Sequence, residues 1–160
     1  MELKTKIHAD EGKSDLTITR EFDLPVELVF RAHVEPDLFE QWMSHEYGTV
    51  RVVKFEPKKH GGWEFETAGA DGTVMFSANG TIHEFVPDKK ITRTFEMDGS
   101  PFDVQLEFLD FDGLSAETSR LTIHSIYRSV ELRDQMLKLP FATGLSMAHD
   151  RLQTVVAKLI

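Results

Sequence analysis

The last segment of the chain carries an apolar stripe that predicts one long amphipathic helix. Apolar residues recur there, from residue 140 to residue 160, at steps of three and four positions: Phe141, Leu145, Ala148, Leu152, Val155, Val156 and Leu159. This spacing places them on one face of a helix. Such a helix is roughly 30 Å long, enough to lie along a whole sheet. A lone helix packed on a curved sheet tends to enclose space, so the pattern predicts a container.

Most of the preceding chain has the short alternating segments typical of antiparallel strands. Strands are predicted over residues 14–22, 49–56, 63–66, 73–86, 91–97, 102–111 and 120–127, and the short turns between most of them indicate a meander. Two short helices are expected after the first strand, at Pro25 and Pro36, because proline suits the first helical turn. Residues 129–139 form a helical lead-in. We expect one domain over residues 1–160, with residues 1–13 holding either a short strand or a loose arm.

Composition excludes several classes of protein. The 160-residue chain has 41% hydrophobic residues, a net charge of -9 and no cysteine. A surface this acidic repels phosphate backbones, so we expect no nucleic-acid partner. The missing thiols exclude disulfides and thiolate metal sites and are typical of a cytoplasmic protein. Residues 1–12 lack the apolar core of a signal peptide, and no stretch has the ~18 apolar residues of a membrane span.

The order and spacing of several short motifs resemble a known family. The matching pieces are residues 22–30 (FDLPVELVF), Trp42, residues 61–65 (GGWEF), residues 80–84 (GTIHE) before Pro87, and Gly144 followed by residues 150–152 (DRL). Together they resemble the START-like, or helix-grip, superfamily (SRPBCC), which includes the birch pollen allergen. Within it, the chain is most similar to domains related to the C-terminal domain of the heat-shock protein 90 ATPase activator.

This resemblance implies an α+β helix-grip fold, in which a curved seven-stranded antiparallel sheet grips the last helix around an apolar cavity. It also implies one of three activities: binding hydrophobic small molecules, cyclising or hydrolysing polyketide-like compounds, or assisting a chaperone. The chain departs from the family pattern at Pro140, Leu145 and His149, where glycine, tryptophan and an apolar residue are common. These positions lie on the helix that would line the cavity.

The candidate ligand-binding residues are the apolar and aromatic side chains expected to face the cavity, together with one histidine. They are Trp42, Trp63, Phe65, Met75, Phe95, Leu106, Phe141, Leu145 and His149. Aromatic rings of this kind either stack on a planar ligand or simply pack in the core. Leu106 belongs to an alternating run, 102–108, that either lines the cavity or fills it.

Two polar residues are candidates for chemistry in the cavity. His149 either contacts a ligand or is a core histidine satisfied by one hydrogen bond. Glu84 is exposed unless the strand register turns Gly80, Ile82 and Glu84 inward, in which case the carboxylate would be buried with a raised pKa and could pair with His149. The seven histidines show no metal-ligand spacing, so we expect neither a metal nor a cofactor.

Three functions remain open at this point. The first is a non-enzymatic module that binds a small hydrophobic molecule, with His149 or Glu84 fixing its orientation. The second is an interaction protein that aids a chaperone ATPase, as the resemblance implies. The third, a cyclase or hydrolase using His149 with Glu84, is the least favoured because no nucleophile or oxyanion hole is apparent. We therefore expect a binding protein rather than an enzyme.

Overall fold

A computed structural model describes residues 1–160 as one curved antiparallel sheet with four helices. In chain order the elements are β1 (Lys6–His8), β2 (Asp15–Phe22), α1 (Val26–Val34), α2 (Pro36–Met43), β3 (Thr49–Phe55), β4 (Gly62–Ala68), β5 (Val74–Val86), β6 (Lys90–Met97), β7 (Gln105–Gly113), β8 (Ser119–Ile126), α3 (Val130–Leu137) and α4 (Phe141–Ala157). The spatial strand order is β1-β2-β8-β7-β6-β5-β4-β3. None of the helices is both long and apolar enough to cross a membrane.

This architecture confirms the predicted α+β helix-grip fold, with one strand more than expected. The additional strand is β1, which pairs antiparallel with β2 through Ile7 and Ile18. The remaining seven strands fall where the alternating segments predict them. Strands β3 to β8 form the predicted meander, and β2 closes the sheet against β8.

The core forms where the concave face of the sheet meets the helices. Strand β2 alternates strictly, so Leu16, Ile18 and Phe22 are buried together. Helix α4 contributes the fully buried Leu152 and Val156 at the helical spacing that the stripe predicts. Because the periodicity of each element matches its burial, the apolar faces of sheet and helix coincide in one continuous core.

Strand β7 presents the opposite face from the one its sequence suggests. The prediction placed Leu106 and Phe108 inward, but the buried positions of its first half are Gln105 and Glu107. Phe108 lies on the convex face, where its ring stacks on His124 with centroids 6.0 Å apart. Leu106 shares that face, because side chains two positions apart on a strand point the same way. In this half of β7 the convex face carries apolar side chains and the concave face carries polar ones, whereas Leu109 and Phe111 further along the strand are buried in the core.

Candidate functional site

A cleft opens beside the junction of α1 and α2, where these helices meet the edge of the sheet. Its cavity volume is about 20 Å³, and the space not filled by protein atoms is about 310 Å³ when the part open to solvent is included. A cavity of this size has room for roughly one water molecule. Any larger guest must therefore occupy the mouth or displace side chains at the rim.

The walls of the cleft come from two helices and three strands. Its lining residues are His33, Val34, Pro36 and Phe39 from the helices, Val52, Lys54 and Phe55 from β3, Trp63, Glu64 and Phe65 from β4, and Arg93 from β6. Helix α4 contributes none of them. This cleft therefore lies between the sheet and the first two helices, and not between the sheet and the last helix, where the container is predicted.

Arg93 is the cationic group at the inner wall of this cleft. Its Nε donates to Oε1 of Glu107 at 3.0 Å, and the two residues are direct cross-strand neighbours on β6 and β7. The guanidinium carbon lies 4.8 Å from the centre of a Trp63 ring, a cation–π geometry. The Arg93 side chain is 20% exposed and that of Glu107 is 11% exposed. The ion pair is therefore largely shielded from solvent, and the aromatic face holds the guanidinium flat.

Glu107 belongs to a small polar patch within the concave face. Gln105 donates through Nε2 to Oε2 of Glu107 at 3.2 Å, so each carboxylate oxygen has its own donor. Burial, with the nearby Glu107 carboxylate, raises the pKa of the Tyr127 phenol, so it stays protonated at neutral pH. A buried carboxylate is tolerated only when its oxygens are satisfied in this way.

His33 supplies a neutral imidazole to the same cleft. Its Nδ1 lies 2.8 Å from the backbone oxygen of Val29. Because a carbonyl can only accept, Nδ1 carries the proton and Nε2 is left as an acceptor. Burial lowers the pKa of His33 to about 4, and Arg93 adds to the effect. His33 is therefore uncharged at neutral pH and can accept a hydrogen bond.

Three of the predicted aromatic residues lie at this cleft or next to it. Trp63 and Phe65 line it, with their rings stacked at 5.9 Å, and Phe95 packs 5.5 Å from Trp63. The Trp63 Nε1 is buried without a hydrogen-bond partner. Trp42 lies deeper, where its Nε1 donates to the backbone oxygen of Ala32 at 2.7 Å.

His149 is buried away from the cleft and bonded to the N-terminal segment. Its Nδ1 lies 2.7 Å from the Thr5 hydroxyl. Arg20 approaches the same hydroxyl at 3.4 Å and bonds Asp150 at 2.9 Å. Burial lowers the pKa of His149 to about 3, with further lowering from the charges of His33 and Arg20. Of the two roles considered for His149, ligand contact and a core histidine satisfied by one hydrogen bond, this geometry corresponds to the second.

The inward position considered for Glu84 is wrong, because a β-bulge interrupts β5 between Ile82 and Glu84. The bulge shifts the alternation by one position, so Ile82 faces the core and Glu84 faces solvent. The Glu84 carboxylate pairs with Lys90 at 3.3 Å, and its side chain is 47% exposed. It therefore does not meet the fully buried His149, and the proposed acid–base pair does not form.

The remaining predicted residues lie at other places. Met75 is 53% exposed near the start of β5, and Leu106 lies on the convex face. Phe141 and Leu145 are partly buried against the core from the first turns of α4. These four positions contribute nothing to the lining of the cleft.

Sequence reasoning missed His33, Arg93 and Glu107. One signal was available for Arg93, since it shares a strand face with the apolar residues Ile91 and Phe95. A charged side chain on an otherwise apolar, buried face needs an oppositely charged partner, because an unpaired buried charge is costly. That partner is Glu107, which lies directly opposite Arg93 on the next strand. The alternation of β7 had suggested that Glu107 faces solvent.

Solved structures share this fold at low sequence identity. A protein from Rhodobacter sphaeroides has a TM-score of 0.87 and 20% identity, over 97% of this chain and 99% of that one. Protein Ms6760 from Mycobacterium smegmatis has a TM-score of 0.83 and 20% identity, over 95% and 96%. A protein from Arthrobacter aurescens has a TM-score of 0.81 and 19% identity, over 96% and 91%. At these identities the likeness shows the fold alone.

No curated protein matches the chain in sequence. The family model described as "Activator of Hsp90 ATPase homolog 1-like protein" matches residues 23–157. The match runs from the turn before α1 to the end of α4 and so includes the cleft. This chain therefore belongs to the family of Activator of Hsp90 ATPase homolog 1-like proteins, within the SRPBCC superfamily.

Proposed function

We propose that this protein binds a small, largely apolar molecule in the cleft between the α1–α2 junction and strands β3, β4 and β6. The observation that carries the proposal is the placement of Arg93 and His33 among the aromatic lining. Binding sites for small molecules are mostly apolar concavities with a few polar groups that orient the ligand. The cleft has that composition, with Trp63, Phe65 and Phe39 beside the two polar side chains.

Binding requires side chains at the rim to move, because the cavity volume of the cleft is only about 20 Å³. Phe39, Lys54 and Phe55 are partly or fully exposed at the mouth, so their side chains can move without opening the core. A ligand in the cleft would gain roughly 25 cal/mol for each Å² of apolar surface it buries. We place this function in the cytoplasm, on the basis of the cysteine-free composition.

The proposal is tested with a variant in which a larger side chain fills the cleft. A library of apolar and aromatic compounds is screened by saturation-transfer NMR against the unaltered protein, Val52→Phe and Val53→Phe. Val52 lines the cleft, whereas its neighbour Val53 is 49% exposed and does not. We expect hits that Val52→Phe loses and Val53→Phe keeps. Hits that persist in Val52→Phe, or a library with no hits, would overturn the proposal.

The family match also favours a second function, stimulation of a chaperone ATPase. This function would use a surface rather than the cleft. The ATPase rate of heat-shock protein 90 is measured with and without this protein, and again with Val52→Phe. Stimulation that Val52→Phe retains supports the chaperone role independently of the cleft, and an unchanged rate counts against it.

A further inference from the structure

We infer that the molecule bound in the cleft is an aromatic monocarboxylic acid, and that Arg93 recognises its carboxylate. This inference rests on the proposed function and specifies its ligand. The feature that carries it is an arginine whose hydrogen-bonding capacity is only partly used. Nε of Arg93 donates to Glu107, but the two terminal nitrogens have no acceptor within the protein.

The guanidinium is oriented before any ligand arrives. Glu107 holds one edge at 3.0 Å, and the Trp63 ring lies against its face at 4.8 Å. Gln105 in turn fixes the second oxygen of Glu107. Arg93 lines the cleft, and its two terminal nitrogens make no hydrogen bond within the protein. A planar fork held in this way matches the two oxygens of a carboxylate.

Charge favours a single negative group on the ligand. The charged residues of the lining are Lys54, Glu64 and Arg93, two positive and one negative, in a protein whose net charge is -9. Glu107 behind Arg93 offsets part of the positive charge. The cleft can therefore accept one carboxylate, whereas a phosphate dianion would bring excess negative charge close to Glu64 and Glu107.

Aromatic side chains define the rest of the ligand. Trp63 and Phe65 stack at 5.9 Å, and Phe39 packs 5.3 Å from Phe65 on the helix side. Arg93 lies over a Trp63 ring and Phe65 stacks on it, and Trp63 and Phe65 are only 4% and 7% exposed. The apolar surface open to a ligand therefore comes from the partly exposed rings of Phe39 and Phe55. An aromatic ring joined directly to a carboxylate would place its π-surface on them while its oxygens reach the guanidinium.

Two probes of equal shape test this inference on the unaltered protein. Benzoate and benzamide are titrated separately at pH 7, and the shift of the Trp63 indole is followed by NMR. We expect benzoate to bind about tenfold more tightly, since a charged hydrogen bond is worth about that factor over a neutral one. In Arg93→Met the affinity for benzoate should fall about tenfold and that for benzamide should stay nearly unchanged. Arg128→Met, which removes an exposed arginine paired with Asp103, should alter neither.

The outcomes distinguish a failure of this inference from a failure of the proposed function. If benzamide binds as tightly as benzoate, or if Arg93→Met keeps the preference, carboxylate recognition by Arg93 is overturned while binding in the cleft stands. If neither probe binds but other compounds occupy the cleft, the ligand class is wrong. If no compound occupies the cleft, the proposed function fails as well.

Arg93→Lys covers the case in which Arg93→Met fails to fold. It keeps a positive charge opposite Glu107 but lacks the planar fork. We expect it to fold and to lose most of the preference for benzoate. A full preference in this variant would also overturn the inference.

Discussion

The hydroxyl of Thr5 lies 2.7 Å from Nδ1 of His149, across 144 residues of sequence. His149 is only 1% exposed, and this hydroxyl is its hydrogen-bond partner. The contact ties the N-terminal segment to the last helix. It also accounts for a histidine on the buried face of α4, because the imidazole has a hydrogen-bond partner there.

Replacing Thr5 by valine should destabilise the fold by about 1–3 kcal/mol, because it leaves a buried imidazole nitrogen unsatisfied. The double variant Thr5→Val with His149→Leu should lose less than the sum of the two single losses, since both polar partners are then removed together. Urea unfolding of the four proteins measures the coupling.

Thr81→Val is the matched control for this cycle. Thr81 is exposed on β5 and its hydroxyl makes no hydrogen bond, so the change should have little effect. If Thr5→Val proves as mild as Thr81→Val, the Thr5–His149 contact does not contribute to stability.

Stability should fall as the pH drops from about 6.5 toward 3, through the buried histidines. In the folded protein burial lowers the pKa of His149 to about 3 and that of His33 to about 4, whereas the unfolded chain has the ordinary value of 6.5. The unfolded state therefore binds more protons in this range. The free energy of unfolding is lowered by this proton binding at acid pH and is unaffected by it only above pH 6.5. His149 alone gives a slope of up to about 1.4 kcal/mol per pH unit.

His149→Leu should flatten this pH dependence, which unfolding curves at pH 7, 6, 5 and 4.5 would measure. Carboxylates with lowered pKa, such as Asp15, also lose stabilisation in acid, so the difference between variant and unaltered protein isolates His149. His8→Leu, at an exposed histidine, is the control. Parallel curves for the unaltered protein and His149→Leu would contradict a buried neutral imidazole.

Gly80→Ala should be strongly destabilising, by about 2 kcal/mol or more. An added Cβ at Gly80 would lie 1.9 Å from the backbone oxygen of Thr94 and 2.5 Å from Nε1 of Trp63. Neither atom can yield without disturbing the strand pairing or the cleft wall. Thermal unfolding measures the loss.

Gly144→Ala is the matched comparison. Gly144 is exposed on α4 with open space around its Cβ position, so alanine should stabilise the helix by about 0.5–1 kcal/mol. Similar effects of the two substitutions would contradict the close packing around Gly80.

The elements of the fold could be predicted because their periodicity is strong. Helix α4 was expected over residues 140–160 and covers Phe141–Ala157, and β6 was expected over 91–97 and covers Lys90–Met97. Strand β1 has only three residues, too few for alternation to distinguish it from a loose arm. The family resemblance completed the topology, which the strand order of the structure then confirmed.

The candidate site was harder to predict, because it depends on contacts between distant strands. The alternation of β7 places Leu106 and Phe108 inward unless Arg93 on β6 is already known to hold Glu107. The bulge that turns Glu84 outward has no marker in the sequence. The sequence thus indicated the aromatic residues of the cleft by their type, whereas the positions of its polar residues depend on the strand register.

The two tryptophan indoles provide the most direct test of ligand binding in the cleft. Trp63 lines the cleft with an unpaired Nε1, while Trp42 lies outside the lining with its Nε1 bonded to Ala32. The two indole N–H signals are followed in ¹H–¹⁵N NMR spectra as compounds from the screen are added. We expect a bound compound to shift the Trp63 signal strongly and the Trp42 signal much less. A compound that binds and leaves the Trp63 signal in place would contradict binding in the cleft.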